Sequence, residues 1–165
     1  MPIQEINPTD LPKLAEKADL STRKWIALFN KKQANKLDDA AHSIHEKVFA
    51  EIDCLSCANC CKSISPTLYD KDIERMAKSV RMKPSEFIAN YLKIDEDNDY
   101  VFRQTPCPFL DHENYCTVYT DRPKACREYP HTDRKRFYQL LKLTHTNTYV
   151  CPAAYHVMEE LKKIC

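Results

Sequence analysis

The sequence predicts a mainly α-helical fold with a small β-hairpin, an α+β chain in which an N-terminal helical arm (residues 1–50) leads into a cysteine-cluster domain (residues 51–165). Three observations carry this reading. The first fifty residues hold no cysteine and repeat apolar side chains at spacings of three and four, the signature of helices with one buried face. Two short runs, Tyr100-Val101-Phe102 and Thr117-Val118-Tyr119, are aromatic and β-branched and lie among turn residues, as short strands do. Nine cysteines fall between positions 54 and 165, four of them within residues 54–61.

Taken in order, residues 10–20 read as a short helix, with Asp10 as its cap and Pro12 in its first turn. Ser21 is placed to cap a second helix carrying Trp25, Ile26, Leu28 and Phe29. A third helix spans 34–51, with Leu37, Ala41, Ile44 and Val48 on one face. After the early cysteines, residues 70–80 form a helix with Ile73, Met76, Ala77 and Val80 inward, and Pro84 opens another that reaches 92. Residues 95–99 make an acidic turn, and 111–114 a polar one. Arg122-Pro123 opens a short helix bearing Cys126, and helices follow over 134–143 and 153–164.

Composition sets limits. The 165 residues suffice for one domain with a modest core, and a net charge of +1 gives no broad field for nucleic acid or membrane. No stretch approaches the roughly 18 apolar residues of a membrane span, and the polar N-terminus lacks a secretory h-region. A cytoplasmic protein is expected. The chain contains no glycine, which excludes glycine-rich phosphate loops and dinucleotide fingerprints. Backbone positions with positive φ must then fall to other residues, with Asn30, Asn59, Asn98 and Asn114 as candidates.

In a reducing cytosol, clustered cysteines signal metal binding more than disulfides. Cys54, Cys57, Cys60 and Cys61 follow C-x2-C-x2-C-C, and Cys107, Cys116, Cys126 and Cys151 stand further on. A C-x2-C turn brings two thiolates near one ion in zinc and iron–sulfur sites. Adjacent Cys60 and Cys61 diverge, so one can face a metal while the other faces a second metal or the core. Eight cysteines supply either two four-thiolate sites or one closed site with spare thiols. Soft thiolates suit an iron–sulfur cluster, iron, zinc or Cu(I). The run begins like a bacterial ferredoxin motif but lacks its following x3-C-P; the radical-SAM spacing and the histidine half of a zinc finger are absent as well. His112 and His131 lie near the later cysteines and read as surface residues, and Cys165 ends the chain alone.

Three segments carry a resemblance: Cys54 to Cys61; Cys107-Pro108-Phe109-Leu110 through Cys116-Thr117-Val118-Tyr119; and Arg122-Pro123-Lys124-Ala125-Cys126-Arg127-Glu128-Tyr129-Pro130. With Cys151-Pro152 they resemble, over residues 53–152, the CxxCxxCC cysteine-cluster family of zinc- or iron-chelating domains. The resemblance implies metal or iron–sulfur binding by the eight cysteines 54, 57, 60, 61, 107, 116, 126 and 151. Family members often carry glycine after the second cysteine, where this chain has Ala58. Flagellin lysine methylases look similar in the cysteine run but are longer.

The leading expectation is a cytosolic protein holding iron or an iron–sulfur cluster, with zinc as the alternative, for redox work or metal handling. A second is a structural zinc module that binds protein through the N-terminal helices or RNA through Arg134-Lys135-Arg136; near-neutral charge weighs against RNA. A third is an accessory to a methyltransferase-like enzyme. Arg122 and Arg127, which flank Cys126, are placed to offset thiolate charge.

Overall fold

The computed structural model describes residues 5–164. It is mainly helical with a small three-stranded antiparallel sheet, and it divides into two compact units. One unit takes the chain up to Cys54 together with the stretch from Pro130 onward; the other is Leu55–Tyr129.

The first unit is built from helices α1 (Leu11–Leu28), α2 (Ala34–Glu51), α8 (Leu141–Asn147) and α9 (Pro152–Ile164). The α2 face read from the sequence, Leu37, Ala41, Ile44 and Val48, is buried, and α2 packs along α9. From α9 the unit's core takes Ala153, Ala154, Val157, Met158 and Leu161; from α1, Leu11 and Ala15. Each large apolar side chain so buried contributes about 1.5–3 kcal/mol.

The N-terminal face is thus covered by the chain's own C-terminal helix. α1 is continuous where a break at Ser21 was expected. The Ser21 hydroxyl bonds back to the Ala18 carbonyl at 2.8 Å, so it is satisfied inside the helix and caps nothing. A helix over 134–143 was also expected. Arg136 there takes a left-handed conformation, Phe137–Leu140 form a 3₁₀ turn, and α8 starts only at Leu141.

In the second unit, α3 (Cys54–Cys57, its first residue in the other unit) and α4 (Asn59–Ser63) precede β1 (Thr67–Leu68), α5 (Asp70–Ser79) and α6 (Pro84–Tyr91). The strands β2 (Leu92–Ile94) and β3 (Tyr100–Phe102) come next, and α7 (Lys124–Glu128) closes the unit. The sheet order is β1-β3-β2, antiparallel, with Leu68 opposite Tyr100 and Leu92 opposite Phe102. The acidic turn joins β2 to β3. Asp95 Oδ1 accepts the amides of Asp97 and Asp99 at 3.0 and 2.9 Å, and Asn98 supplies the left-handed residue.

Residues 117–119 are not the strand expected from their composition. Asp111 Oδ1 accepts the amides of Glu113 and Tyr115, which closes a tight loop whose ends meet at a Leu110–Cys116 bridge. The chain then turns into a 3₁₀ helix at Tyr119–Asp121, and β3 pairs with β1 and β2 instead. The unit's core is Leu68, Ile73, Met76, Ala77, Phe87, Leu92, Phe102, Phe109 and Val118, with Cys107 and Cys116 packed against it.

Candidate metal centre

The early cysteines sit on two helical turns joined by a single residue. Ala58 takes φ 46 and ψ 15, the left-handed region, and is buried. Ala58 itself takes the left-handed backbone, in the position after the second cysteine, while Asn59 begins α4. The reversal redirects the chain, and α4 then sets Cys60 and Cys61 on consecutive helical positions, roughly 100° apart.

One peptide hydrogen bond brings the later cysteines to this turn: the Cys107 amide donates to the Cys61 carbonyl at 2.8 Å. Two residues on, Phe109 fixes the Cys107 loop from the apolar side. Its ring lies 5.9 Å from Phe87, 5.0 Å from Tyr91 and 5.7 Å from Phe102. The Thr117 amide donates to the Phe109 carbonyl at 2.8 Å, which sets Cys116 beside the same loop. Cys126 comes from α7.

The four sulfurs so gathered feel one another. Burial pushes the Cys126 thiol up to about 12, with Cys61, Cys107 and Cys116 adding to the rise. Burial likewise pushes Cys107 up to about 11, again with Cys61 and Cys116 contributing, and raises Cys116. Cys61 moves the other way, to about 7, chiefly because the Cys60 side chain hydrogen-bonds to it.

Arg122 meets the expectation set for it, since its charge acts to lower both Cys116 and Cys126. Its guanidinium is held 3.7 Å over the Tyr119 ring and donates to the Tyr119 carbonyl at 2.6 Å. Tyr119 is 47% exposed beneath it. Arg127 does not join the thiols; it is exposed and lines a cleft with Tyr69, Lys71 and Lys124.

The structure thus gathers Cys61, Cys107, Cys116 and Cys126 within the second unit, with Cys57 and Cys60 on the adjoining turns. Cys54 is exposed in the first unit. Cys151 is buried there at the start of α9, where its sulfur accepts the Ala154 amide at 3.4 Å. His112 is exposed, and Cys165 lies outside the described residues. Among the described residues, no three His, Cys, Asp or Glu side chains stand at the spacing of ligands on one ion. The donor chemistry nevertheless fits a soft metal. Four thiols drawn from both cysteine stretches share one unit with Arg122, and burial raises three of them, which a bound cation would offset.

Sequence reasoning missed two residues. Asp72 is 3% exposed on α5, and Arg75 bonds to it at 2.6 Å. Their only sequence signal is an acid and an arginine three apart beside the apolar face of a helix, which is common on solvated helices too.

The family model described as "CxxCxxCC: Putative zinc- or iron-chelating domain" matches residues 53–152, more than half of the chain. Searches of curated proteins and of solved structures give no match.

Proposed function

Because the chain belongs to the CxxCxxCC family of zinc- or iron-chelating domains, we propose that it is a metal-binding protein that holds iron, as an ion or an iron–sulfur cluster, on Cys61, Cys107, Cys116 and Cys126. The observation that carries this reading is the meeting of the early and later cysteines: the Cys107 amide donates to the Cys61 carbonyl at 2.8 Å, and the Thr117 amide bonded to the Phe109 carbonyl sets Cys116 beside the same loop. Cys57 and Cys60 are further donors of the same unit; Cys54 and Cys151, the other two of the eight cysteines expected as ligands, belong to the first unit. Zinc is the second reading, favoured because four thiolates on one unit match a closed structural zinc shell.

The residues divide the work. Cys61, whose thiol the Cys60 side chain holds below its usual range, offers the first thiolate. Cys107, Cys116 and Cys126 give up their protons when a cation takes over their charge. Arg122 offsets the negative charge that four thiolates leave on a divalent ion. The metal supplies the positive charge that makes ionised, buried thiols tolerable, and iron adds one-electron redox chemistry. Redox work or metal handling in the cytoplasm is the role this reading supports. Among the described residues no helix is long and apolar enough to cross a membrane.

Anaerobic purification with metal analysis and visible absorption tests the assignment. Bound iron with thiolate-to-iron charge-transfer bands, lost in Cys61→Ser with Cys126→Ser, is expected. A colourless protein with stoichiometric zinc moves the assignment to the second reading. A folded protein that takes up neither metal overturns both.

A further inference from the structure

We propose that Asp72 and Arg75 are positioning residues that set the Cys126 segment for metal binding, an inference that rests on the thiolate centre proposed above. Asp72 is almost fully buried, yet burial, which would raise its carboxyl, is outweighed. Bonds from Arg75 and from the Tyr69 and Lys124 amides hold it below its usual range. Its Oδ2 accepts the Tyr69 amide at 3.2 Å, which caps α5. Its Oδ1 reaches away from its own helix to accept the Lys124 amide at 3.1 Å, while also accepting Arg75 Nη2 at 2.6 Å. Arg75 in turn donates from Nε to the Asp121 carbonyl at 3.2 Å and from Nη2 to the Arg122 carbonyl at 3.0 Å.

Three peptide groups just before Cys126 are therefore gripped by one ion pair, whose carboxylate is buried and whose arginine side chain is 28% exposed. The segment they belong to has little regular structure of its own: a three-residue 3₁₀ turn, Arg122-Pro123, and the five residues of α7. Capping α5 needs only the Tyr69 bond. It does not account for the bonds to residues 121, 122 and 124.

A buried ion pair is a poor source of net stability, because desolvation of both charges offsets their attraction, but it holds geometry. What it holds here is the approach of Cys126 and the backbone of Arg122, a cation whose charge acts on Cys116 and Cys126. Groups that orient metal ligands from outside the coordination shell act in this way.

The full-length chain titrated anaerobically with Co²⁺ provides the test, because cobalt bound to thiolates reports its geometry in the visible bands. Arg75→Lys keeps the charge beside Asp72 and the cap of α5, but an ammonium lacks the planar fork that reaches two carbonyls. It is expected to weaken Co²⁺ binding by about ten- to hundredfold, the usual loss when an outer partner of a metal ligand is removed, and to move the d–d bands. Asp72→Asn, which keeps the size but cannot accept on both sides, should do the same. Should Asp72→Asn fail to fold, Arg75→Lys decides alone. Wild-type affinity and band positions in the variants overturn the proposal, and so does weaker binding with unmoved bands, which would mark a merely structural role. A wild-type chain that shows no thiolate-to-cobalt band overturns the metal centre itself, and that result is read before any variant is made.

Discussion

Ala58 holds a left-handed conformation that costs an L-residue with a β-carbon about 1–2 kcal/mol, and it does so between two of the cysteines. Ala58→Gly should relieve that cost, less the freedom glycine adds to the unfolded chain, for a net gain of about 1 kcal/mol. Urea unfolding measures it, and an unchanged or lower midpoint would mean the turn carries no strain. In a chain without glycine such positions were only partly legible. Asn98 and Asn114 adopt positive φ as expected. Asn30 caps a 3₁₀ turn and Asn59 is helical instead. Arg81, His131 and Arg136 take the conformation against their intrinsic preference. At Arg81 the reason is local: α5 ends with the Met82 amide bonded to the Ala77 carbonyl, a closure that demands a left-handed residue.

The thiols make a second prediction at this scale. In the metal-free protein Cys107 and Cys126, at about 11 and 12, stay protonated at pH values where unfolded thiols, near 9, ionise. From about pH 9 upward the unfolded chain sheds protons that the folded one keeps, so metal-free stability should fall as pH rises through that window. Metal uptake reverses the balance by expelling those protons, and affinity should climb from pH 7 to pH 9. Calorimetry in two buffers of different ionisation heat counts the protons released. A count near zero would show that these thiols are not the ligands.

Among the elements, the loop after Cys107 depends on Phe109. Three aromatic neighbours surround that ring, and Phe109→Ala should cost about 3–5 kcal/mol while freeing Cys107. Denaturant unfolding would register the loss; a change below about 1 kcal/mol would mean that the loop is held by its backbone bonds alone. Legibility followed periodicity. α2 has several turns of unbroken apolar spacing, and its bounds and face read directly from the sequence. Residues 117–119 have strand composition, but side-chain bonds from Asp111, two residues past Phe109, decide their course, and strand propensity does not register such bonds. The Asp72–Arg75 grip was hidden for a related reason: its partners are peptide groups about fifty positions away, and peptide groups carry no sequence identity.

For the whole molecule, the two units differ in what should hold them together. The helical one buries long apolar faces of α2 and α9, whereas Leu55–Tyr129 has short helices and strands around a smaller core. Structural zinc contributes roughly 10–16 kcal/mol in small peptides, comparable with a domain's entire net stability of about 5–15 kcal/mol. Removing metal should therefore lower hydrogen-exchange protection across residues 55–129 and leave α2 and α9 protected. Equal protection with and without metal would mark the centre as dispensable for the fold. The cysteines announced themselves by spacing alone. The pairing of the chain up to Cys54 with the stretch from Pro130 onward did not, because two amphipathic helices far apart in sequence carry no sign of which other face each one meets.

The hydrogen bond from Cys107 to Cys61 and the reach from Cys61 to Cys126 also bear on the order of events during folding. A ligand set scattered over that much chain exists only after long loops have closed, and loop closure is slow and entropically opposed. Residues 54–61, by contrast, offer four thiols to any ion while the chain is still unfolded. A metal caught there stabilises the wrong ensemble, since binding to the unfolded state subtracts from the benefit of binding to the native one. Refolding with Zn²⁺ already present should thus be slower than refolding first and loading afterwards. Identical rates in stopped-flow circular dichroism would show that early capture does no harm. The cell's safest course would be to deliver metal once the loops from Cys61 to Cys126 have closed.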